Sequence, residues 1–176
     1  VERSRGLGDV YKRQLQALRG RDISVIFQEP MTALNPVHTI GQQIAEVFQV
    51  KLGLDRRTAW ARAVERLAAT GIPEPARRAK SYPHQLSGGQ RQRAMIAMAL
   101  ASEPRLLIAD EPTTALDATL RLQILDLLAE LQRKNGMSVL LISHDLNLVR
   151  RFADRVAVME KGHLVEQGDT ATIFAS

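Results

Sequence analysis

The stretch LSGGQ at positions 86–90 combines residue types that can form a binding site for an anion. Ser87 is a favourable N-cap residue for a helix, and Gln90, three positions later, can complete a capping box. Gly88 and Gly89 have no Cβ, so the backbone there can come very close to a ligand. Free N–H groups at a helix N-terminus favour negative charge, which predicts a phosphate site. The alternative is an ordinary capped helix without a ligand, because short motifs of this kind also occur by chance.

Two acidic residues and a histidine follow apolar stretches that are typical of buried strands. Asp110 and Glu111 come directly after Leu106–Ala109. His144 follows Ser138–Ile142 by two positions. Two acids at the end of an apolar strand are costly unless they serve a cation or a reaction. The alternatives are solvated acids at a strand end and a histidine with a structural role.

Apolar periodicity predicts the elements that must position these residues. Short apolar, β-branched runs predict strands, and apolar residues at helical spacing predict amphipathic helices. The predicted strands are 23–27, 106–109 and 138–142, with a hairpin of 156–159 and 163–166. The predicted helices are 15–20, 39–50, 56–69, 88–100, 119–134, 145–152 and 171–176, with a basic helical turn at 76–81. Strands alternating with helices favour a mostly parallel α/β sheet. The run of helices from roughly Val37 to Leu100 predicts a subdomain inserted between strands of the core.

Five short motifs, taken in order, resemble those of the nucleotide-binding domain of an ABC transporter ATPase. They are the Q-loop glutamine Gln28, the signature LSGGQ, a Walker B strand with Asp110 and Glu111, the D-loop with Asp117, and the H-switch His144. The resemblance extends from about Leu15 to the C-terminus. A finer match is to the ATPases of oligopeptide, dipeptide and nickel importers, and it is carried by Arg19–Arg21, Ile26–Pro36 and Tyr82–Gln85.

The resemblance implies a P-loop NTPase-type α/β fold with a mostly parallel sheet and an inserted ABC α-helical subdomain. It also implies that ATP and Mg²⁺ are the cofactors. Asp110 and Gln28 would then hold the metal ion, and Gln28 would also sense the γ-phosphate. Glu111 would polarise the attacking water, and His144 would contact the γ-phosphate; these two are the expected catalytic residues.

The resemblance further implies a head-to-tail dimer with a second ABC ATPase subunit. Ser87, Gly88, Gly89 and Gln90 would cover the γ-phosphate bound by the opposite subunit. Asp117 would also reach across to the opposite subunit. The expected nucleotide-binding residues are therefore Gln28, Ser87, Gly88, Gly89, Gln90 and Asp117.

The first residues of the chain do not match the family pattern. At this depth before Gln28 the family has a Walker A loop, or the strand and helix after it, and Gly6-Leu7-Gly8 is not followed by Gly-Lys-Ser/Thr. We therefore divide the chain into residues 1–14, an unmatched segment hypothesised to be foreign, and 15–176, a partial nucleotide-binding domain with its helical subdomain at about 37–100. A genuine N-terminal tail is the alternative. Without Walker A, and with the pattern incomplete at both ends, the chain is expected to be inactive alone.

The function implied by the resemblance is an ATP-hydrolysing subunit that powers import of peptides or nickel through transmembrane permease subunits. A substrate-binding protein would be an indirect partner, and the subunit would lie peripherally on the cytoplasmic face of the inner membrane. One alternative is a non-catalytic fragment or degenerate subunit that contributes only its signature face to a partner. Another is a soluble ABC ATPase that acts on nucleic acid or the ribosome.

Composition limits these alternatives. The 176 residues suffice for one domain with a core, and no apolar run approaches the roughly 18 residues that cross a bilayer. The polar first residues predict no secretory signal, and the lack of cysteine excludes disulfides and thiolate metal sites. The net charge of +5 and pI of about 10.1 permit nucleic-acid binding. Because the basic residues are scattered and aromatic residues make up only 4%, no nucleic-acid partner is expected.

Overall fold

The computed structural model describes residues 18, 20, 22–28, 33–113 and 116–175 of the chain. Its central feature is a parallel sheet in the order β1-β2-β3, formed by β1 (Ile23–Ile26), β2 (Leu106–Asp110) and β3 (Ser138–Ile142). Ile23 lies opposite Leu106, and Leu106 lies opposite Ser138. The three strands therefore point the same way, and their carboxyl ends meet at one edge of the sheet.

Helices fill the long connection between β1 and β2. They are α1 (Ile40–Leu52), α2 (Arg56–Ala69), α3 (Pro75–Arg78) and α4 (Gly88–Ala99), with a 3₁₀ turn at Pro83–Gln85 before α4. Thr39 and Gln42 form a capping box at the start of α1, and the Asp55 side chain caps α2. These caps satisfy N–H groups that have no partner within a helix, which explains why the helices begin there.

Helix α4 is packed on two sides. Its Ala94 and Ala97 belong to the apolar cluster formed with α1 and α2, which includes Ile44 and Phe48. Its Met95 and Ile96 belong to a second cluster, which joins α4 to the sheet and the following helix through Ile26, Leu107, Ile124 and Leu128. Because both clusters are buried, the start of α4 is held in a fixed position relative to the sheet.

The chain continues after β2 with the long helix α5 (Ala118–Asn135) and, after β3, with the short helix α6 (Leu146–Phe152). An antiparallel pair, β4 (Arg155–Glu160) and β5 (His163–Asp169), and the short helix α7 (Thr170–Ile173) complete the described chain. Within the described ranges, no helix combines the length and the apolar character that a membrane span requires.

The predicted parallel α/β fold with a helical insertion is confirmed, as are the individual strands and helices that the structure describes. Boundaries differ by a few residues: β1 ends at Ile26, before Phe27, and the turn predicted at 76–81 is helical only over Pro75–Arg78. Most of the predicted helix at 15–20, the segment 1–14 and positions 29–32 lie outside the described residues. The division of the chain into segments therefore stays a prediction.

Candidate functional site

Three polar side chains that follow three different strands meet at the carboxyl edge of the sheet. The Nε2 group of Gln28, after β1, donates to Oε2 of Glu111 at 3.0 Å. The Nδ1–H of His144, after β3, donates to Oε1 of the same carboxylate at 2.8 Å. Glu111 itself follows the central strand β2, so the strand order places it between the other two. We call Gln28, Glu111 and His144 the edge cluster.

The backbone of Glu111 holds its carboxylate in this place. Glu111 has φ of 44°, in the left-handed region, and its N–H donates to the carbonyl of Ile142 at 3.0 Å. A non-glycine residue in this region costs about 1–3 kcal/mol and persists where the surroundings enforce it, most often at functional sites. The Glu111 side chain is 24% exposed, whereas the His144 side chain is 70% exposed. A reactant could therefore approach the cluster from the side of His144.

Asp110 supplies a second carboxylate at the same edge. It is the exposed last residue of β2, and its side chain has no hydrogen-bond or ion-pair partner among the described residues. The same part of the chain contains no group of three or more His, Asp or Glu residues that could enclose a metal ion. Mg²⁺ usually takes one or two carboxylates and completes its shell with phosphate oxygens and waters. The Asp110 carboxylate, at the same edge of the sheet as Gln28, fits that pattern.

The signature sequence forms the N-terminus of α4. The hydroxyl of Ser87 accepts a hydrogen bond from the Gln90 N–H at 3.3 Å, and the Gln90 side-chain oxygen accepts one from the Ser87 N–H at 3.3 Å. The predicted capping box is thus confirmed. A Cβ at Gly88 would meet nothing within 4 Å, whereas a Cβ at Gly89 would lie 2.7 Å from Cδ2 of Leu120. Gly88 therefore faces open space, and Gly89 allows α5 to pack closely.

The signature residues and Asp117 line one open pocket with a volume of about 430 Å³. Its lining residues are Ser87, Gly88, Gly89, Gln90, Arg93, Leu116, Asp117 and Leu120, and we call this pocket the signature cradle. Asp117 is the N-cap of α5 and accepts a hydrogen bond from the Leu120 N–H at 2.9 Å. The N-terminus of α4 and the Arg93 cation favour an anion in the cradle, whereas the Asp117 carboxylate offsets the positive end of α5.

The structure separates the predicted site residues into these two groups. It brings Gln28, Glu111 and His144 together beside Asp110, and it brings the four signature residues together with Asp117. None of the edge-cluster residues lines the cradle.

A connection between the two groups was missed from the sequence. Gln92, on α4, is 1% exposed, and its Nε2 donates to the carbonyl of Pro112, next to Glu111. The signal in the sequence is a glutamine at a position that periodicity assigns to the buried face of a helix.

The sequence model that describes ABC transporters matches residues 6–114. The chain belongs to this family. It is 58% identical over 163 residues to the peptidoglycan transport ATP-binding protein YejF of Agrobacterium fabrum, which covers 93% of this chain and 30% of the relative. It is 52% identical over 162 residues to the dipeptide transport ATP-binding protein DppD of Bacillus subtilis, which covers 92% of this chain and 48% of the relative. The chain thus spans half or less of the length of these relatives.

A solved structure has the same fold. It is the dimeric ATP-binding cassette MJ0796 in a post-hydrolysis state, bound to ADP and Pi. The TM-score is 0.78 at 32% sequence identity, and the match covers 90% of this chain and 67% of the other.

Proposed function

We propose that this ABC protein is an ATP-binding and ATP-hydrolysing subunit that powers import of peptides, or of nickel, through a membrane permease. The observation that carries the proposal is the edge cluster: a carboxylate fixed by an amide on one oxygen and by an imidazole on the other. Phosphoryl transfer depends mainly on positioning and on charge stabilisation, so groups held in this way are what the reaction requires.

Each residue of the cluster has a proposed part in hydrolysis. Glu111 accepts a proton from the attacking water, and His144 keeps the carboxylate oriented and presents its other ring edge to the γ-phosphate. Asp110 and the amide oxygen of Gln28 would hold Mg²⁺, which would neutralise phosphate charge. The hydrogen bond from Gln28 to Glu111 uses only the Gln28 amide nitrogen, so the amide oxygen stays available for this purpose.

The signature cradle is proposed to bind the γ-phosphate of ATP held by a second ABC subunit in a head-to-tail dimer. The N-terminus of α4, the Arg93 cation and the open space at Gly88 support this assignment. The dimeric arrangement of MJ0796, which is bound to ADP and Pi, also supports it.

The substrate class and the partners rest on the relatives. Two of them have names that refer to transport of peptidoglycan and of dipeptides, which supports peptides as the cargo class. The proposed partners are permease subunits and, indirectly, a substrate-binding protein, with this subunit on the cytoplasmic face of the membrane. Residues 15–176 are proposed as the portion of the nucleotide-binding domain, with 37–100 as its helical subdomain. Residues 1–14 are proposed as foreign, a proposal that the match of the family model from residue 6 onward does not support and that sequencing the source DNA across codons 14 and 15 would test.

The Glu111→Gln variant, in the protein expressed from its complete gene, tests the catalytic assignment. Loss of a general base lowers turnover by about 10²–10⁴-fold. ATP affinity should change little, because the amide has the same shape and can still accept a hydrogen bond from Gln28. Phosphate release and equilibrium binding of ATP would be measured in parallel. Glu160→Gln, which neutralises an exposed glutamate near Lys161, is the matched control. Steady-state turnover of Glu111→Gln equal to that of the control would refute the proposed function of Glu111.

A further inference from the structure

Arg121 contacts two of the functional segments at once. Its Nη2 donates to the carbonyl of Leu116 at 3.4 Å, one residue before Asp117 in the signature cradle. Its Nη1 donates to Oδ2 of Asp145 at 3.3 Å, one residue after His144 in the edge cluster. A single guanidinium thus joins the segment that enters α5 to the segment that enters α6.

Asp145 uses its two carboxylate oxygens for different purposes. Oδ1 accepts hydrogen bonds from the N–H groups of Asn147 at 3.0 Å and Leu148 at 3.3 Å, which caps α6. Oδ2 is the oxygen that pairs with Arg121, and the two side chains are 28% and 31% exposed. The backbone N–H of Asp145 donates to the Ser143 hydroxyl at 3.1 Å. The backbone on both sides of His144 is therefore held in place through Asp145.

Stability alone is a poor explanation for an arginine at this position. Arg121 lies at the end of the first turn of α5, where the helix dipole disfavours a cation. Its Nε atom is buried and has no hydrogen-bond partner among the described residues, which is a further destabilising feature. A side chain that is unfavourable in two ways and still spans two functional segments is better explained by the geometry that it maintains.

We propose that Arg121 is a positioning residue that couples the Asp117 segment of the signature cradle to the His144 segment of the edge cluster. A shift of Leu116 and Asp117 moves the guanidinium, and through Asp145 it changes how His144 faces Glu111. The consequence for catalysis rests on the proposed function. The mechanical coupling between the two segments does not.

Hydrogen exchange without nucleotide tests the coupling in the protein expressed from its complete gene. In Arg121→Gln, exchange should accelerate by roughly tenfold at the Leu116 amide, which donates to the Thr113 carbonyl at 3.1 Å, and at the capped amides of Asn147 and Leu148, because a lost contact between coupled segments lets both open more often. Asp145→Asn keeps the Oδ1 cap and replaces the Oδ2 acceptor of the Arg121 hydrogen bond with an NH2 donor, so it should reproduce the acceleration at Leu116. Arg151→Gln removes an exposed ion pair with Asp126, 3.7 Å apart, and should change neither segment. Faster exchange at one segment only, or the same pattern in Arg151→Gln, would overturn the coupling.

Steady-state kinetics then tests the consequence for catalysis. Arg121→Gln should lower kcat by roughly tenfold with KM for ATP nearly unchanged, and the double variant with Asp145→Asn should lose no more than the worse single variant. Arg121→Lys keeps the charge and should recover part of kcat. A multiplicative loss in the double variant, or kcat equal to that of Arg151→Gln, would overturn the catalytic part. If the unsubstituted protein hydrolyses no ATP, the proposed function fails, and the exchange experiment still decides the coupling.

Discussion

Replacing Gly88 with alanine should separate ligand contact from folding stability at the signature cradle. The new Cβ would have nothing within 4 Å, and Gly88 is the first residue of α4, with no positive φ that alanine would resist. Alanine at a compatible glycine position stabilises a protein by about 0.4–1 kcal/mol through the unfolded chain. For a domain of this size we therefore expect the melting temperature to stay the same or to rise by about 1–4 °C.

The same methyl group should impair ATP turnover. If Gly88 allows the backbone N–H groups of the cradle to approach a phosphate held by the second subunit, a methyl group holds the two surfaces apart. A misplacement of about 1 Å can lower a rate roughly 100-fold, so we expect a loss of that order. Phosphate release and thermal melting would be measured on the same preparation.

Gly89 provides the comparison because it is the neighbouring glycine with the opposite surroundings. A Cβ there would lie 2.7 Å from the Leu120 side chain, which must move to accommodate it. Because Leu120 is half-buried and its methyl groups can move aside, we expect the low end of the overpacking cost, about 1 kcal/mol, so Gly89→Ala should lower the melting temperature by about 2–4 °C. Wild-type turnover in Gly88→Ala would refute close approach as the purpose of that glycine. A lower melting temperature in Gly88→Ala would refute the open surroundings assigned to it.

Three further predictions concern stability. Gln43→Leu should lower the free energy of unfolding by about 1–3 kcal/mol for each polar group left unpaired, because the Gln43 amide forms hydrogen bonds with the backbone of Asn35 and His38. Leu67→Ala, at a fully buried position of α2, should cost about 2–5 kcal/mol; urea titration measures both. The Thr58 hydroxyl, followed by backbone N–H groups, lowers the pKa of Asp55 below its ordinary 3.8. The ionised Asp55 therefore stabilises the fold above pH 3.8, and this stabilisation is lost as the pH falls through the lower folded-state pKa. In Asp55→Asn, the free energy of unfolding should depend less on pH in this acid range.

The sequence predicts the fold well where one physical signal dominates. The apolar runs at β2 and β3 have no competing helical periodicity, and Ser87 and Asp55 are strong caps, so these elements and helix starts are where the residues predict them. Motif order also predicts that Gln28, Glu111 and His144 follow strands. It does not predict that Gln28 and His144 occupy the two oxygens of one carboxylate. That arrangement depends on β2 lying between β1 and β3 in the sheet. Strand pairing brings the three residues together although Gln28 is 83 residues and His144 is 33 residues from Glu111.

The residues that sequence reasoning missed share a physical property. Gln92 and Arg121 lie on helices whose apolar pattern predicts packing, and their partners Pro112 and Asp145 lie on other elements, 20 and 24 residues away. A polar residue on a largely apolar helix can be solvated at the edge of the buried face or bonded across an interface. Periodicity does not distinguish these cases, because the difference depends on which element covers the helix.

The two groups of functional residues are linked through α4 as well as through Arg121. Gln92 is two positions beyond Gln90 of the cradle, and its partner carbonyl belongs to Pro112, the residue after Glu111. Because α4 is packed on both sides from Ala94 onward, we expect a ligand that displaces its N-terminus to shift the helix as a body. That motion would reach the strained backbone of Glu111 through one buried hydrogen bond. We therefore expect occupation of the cradle to affect the orientation of the proposed base within one chain.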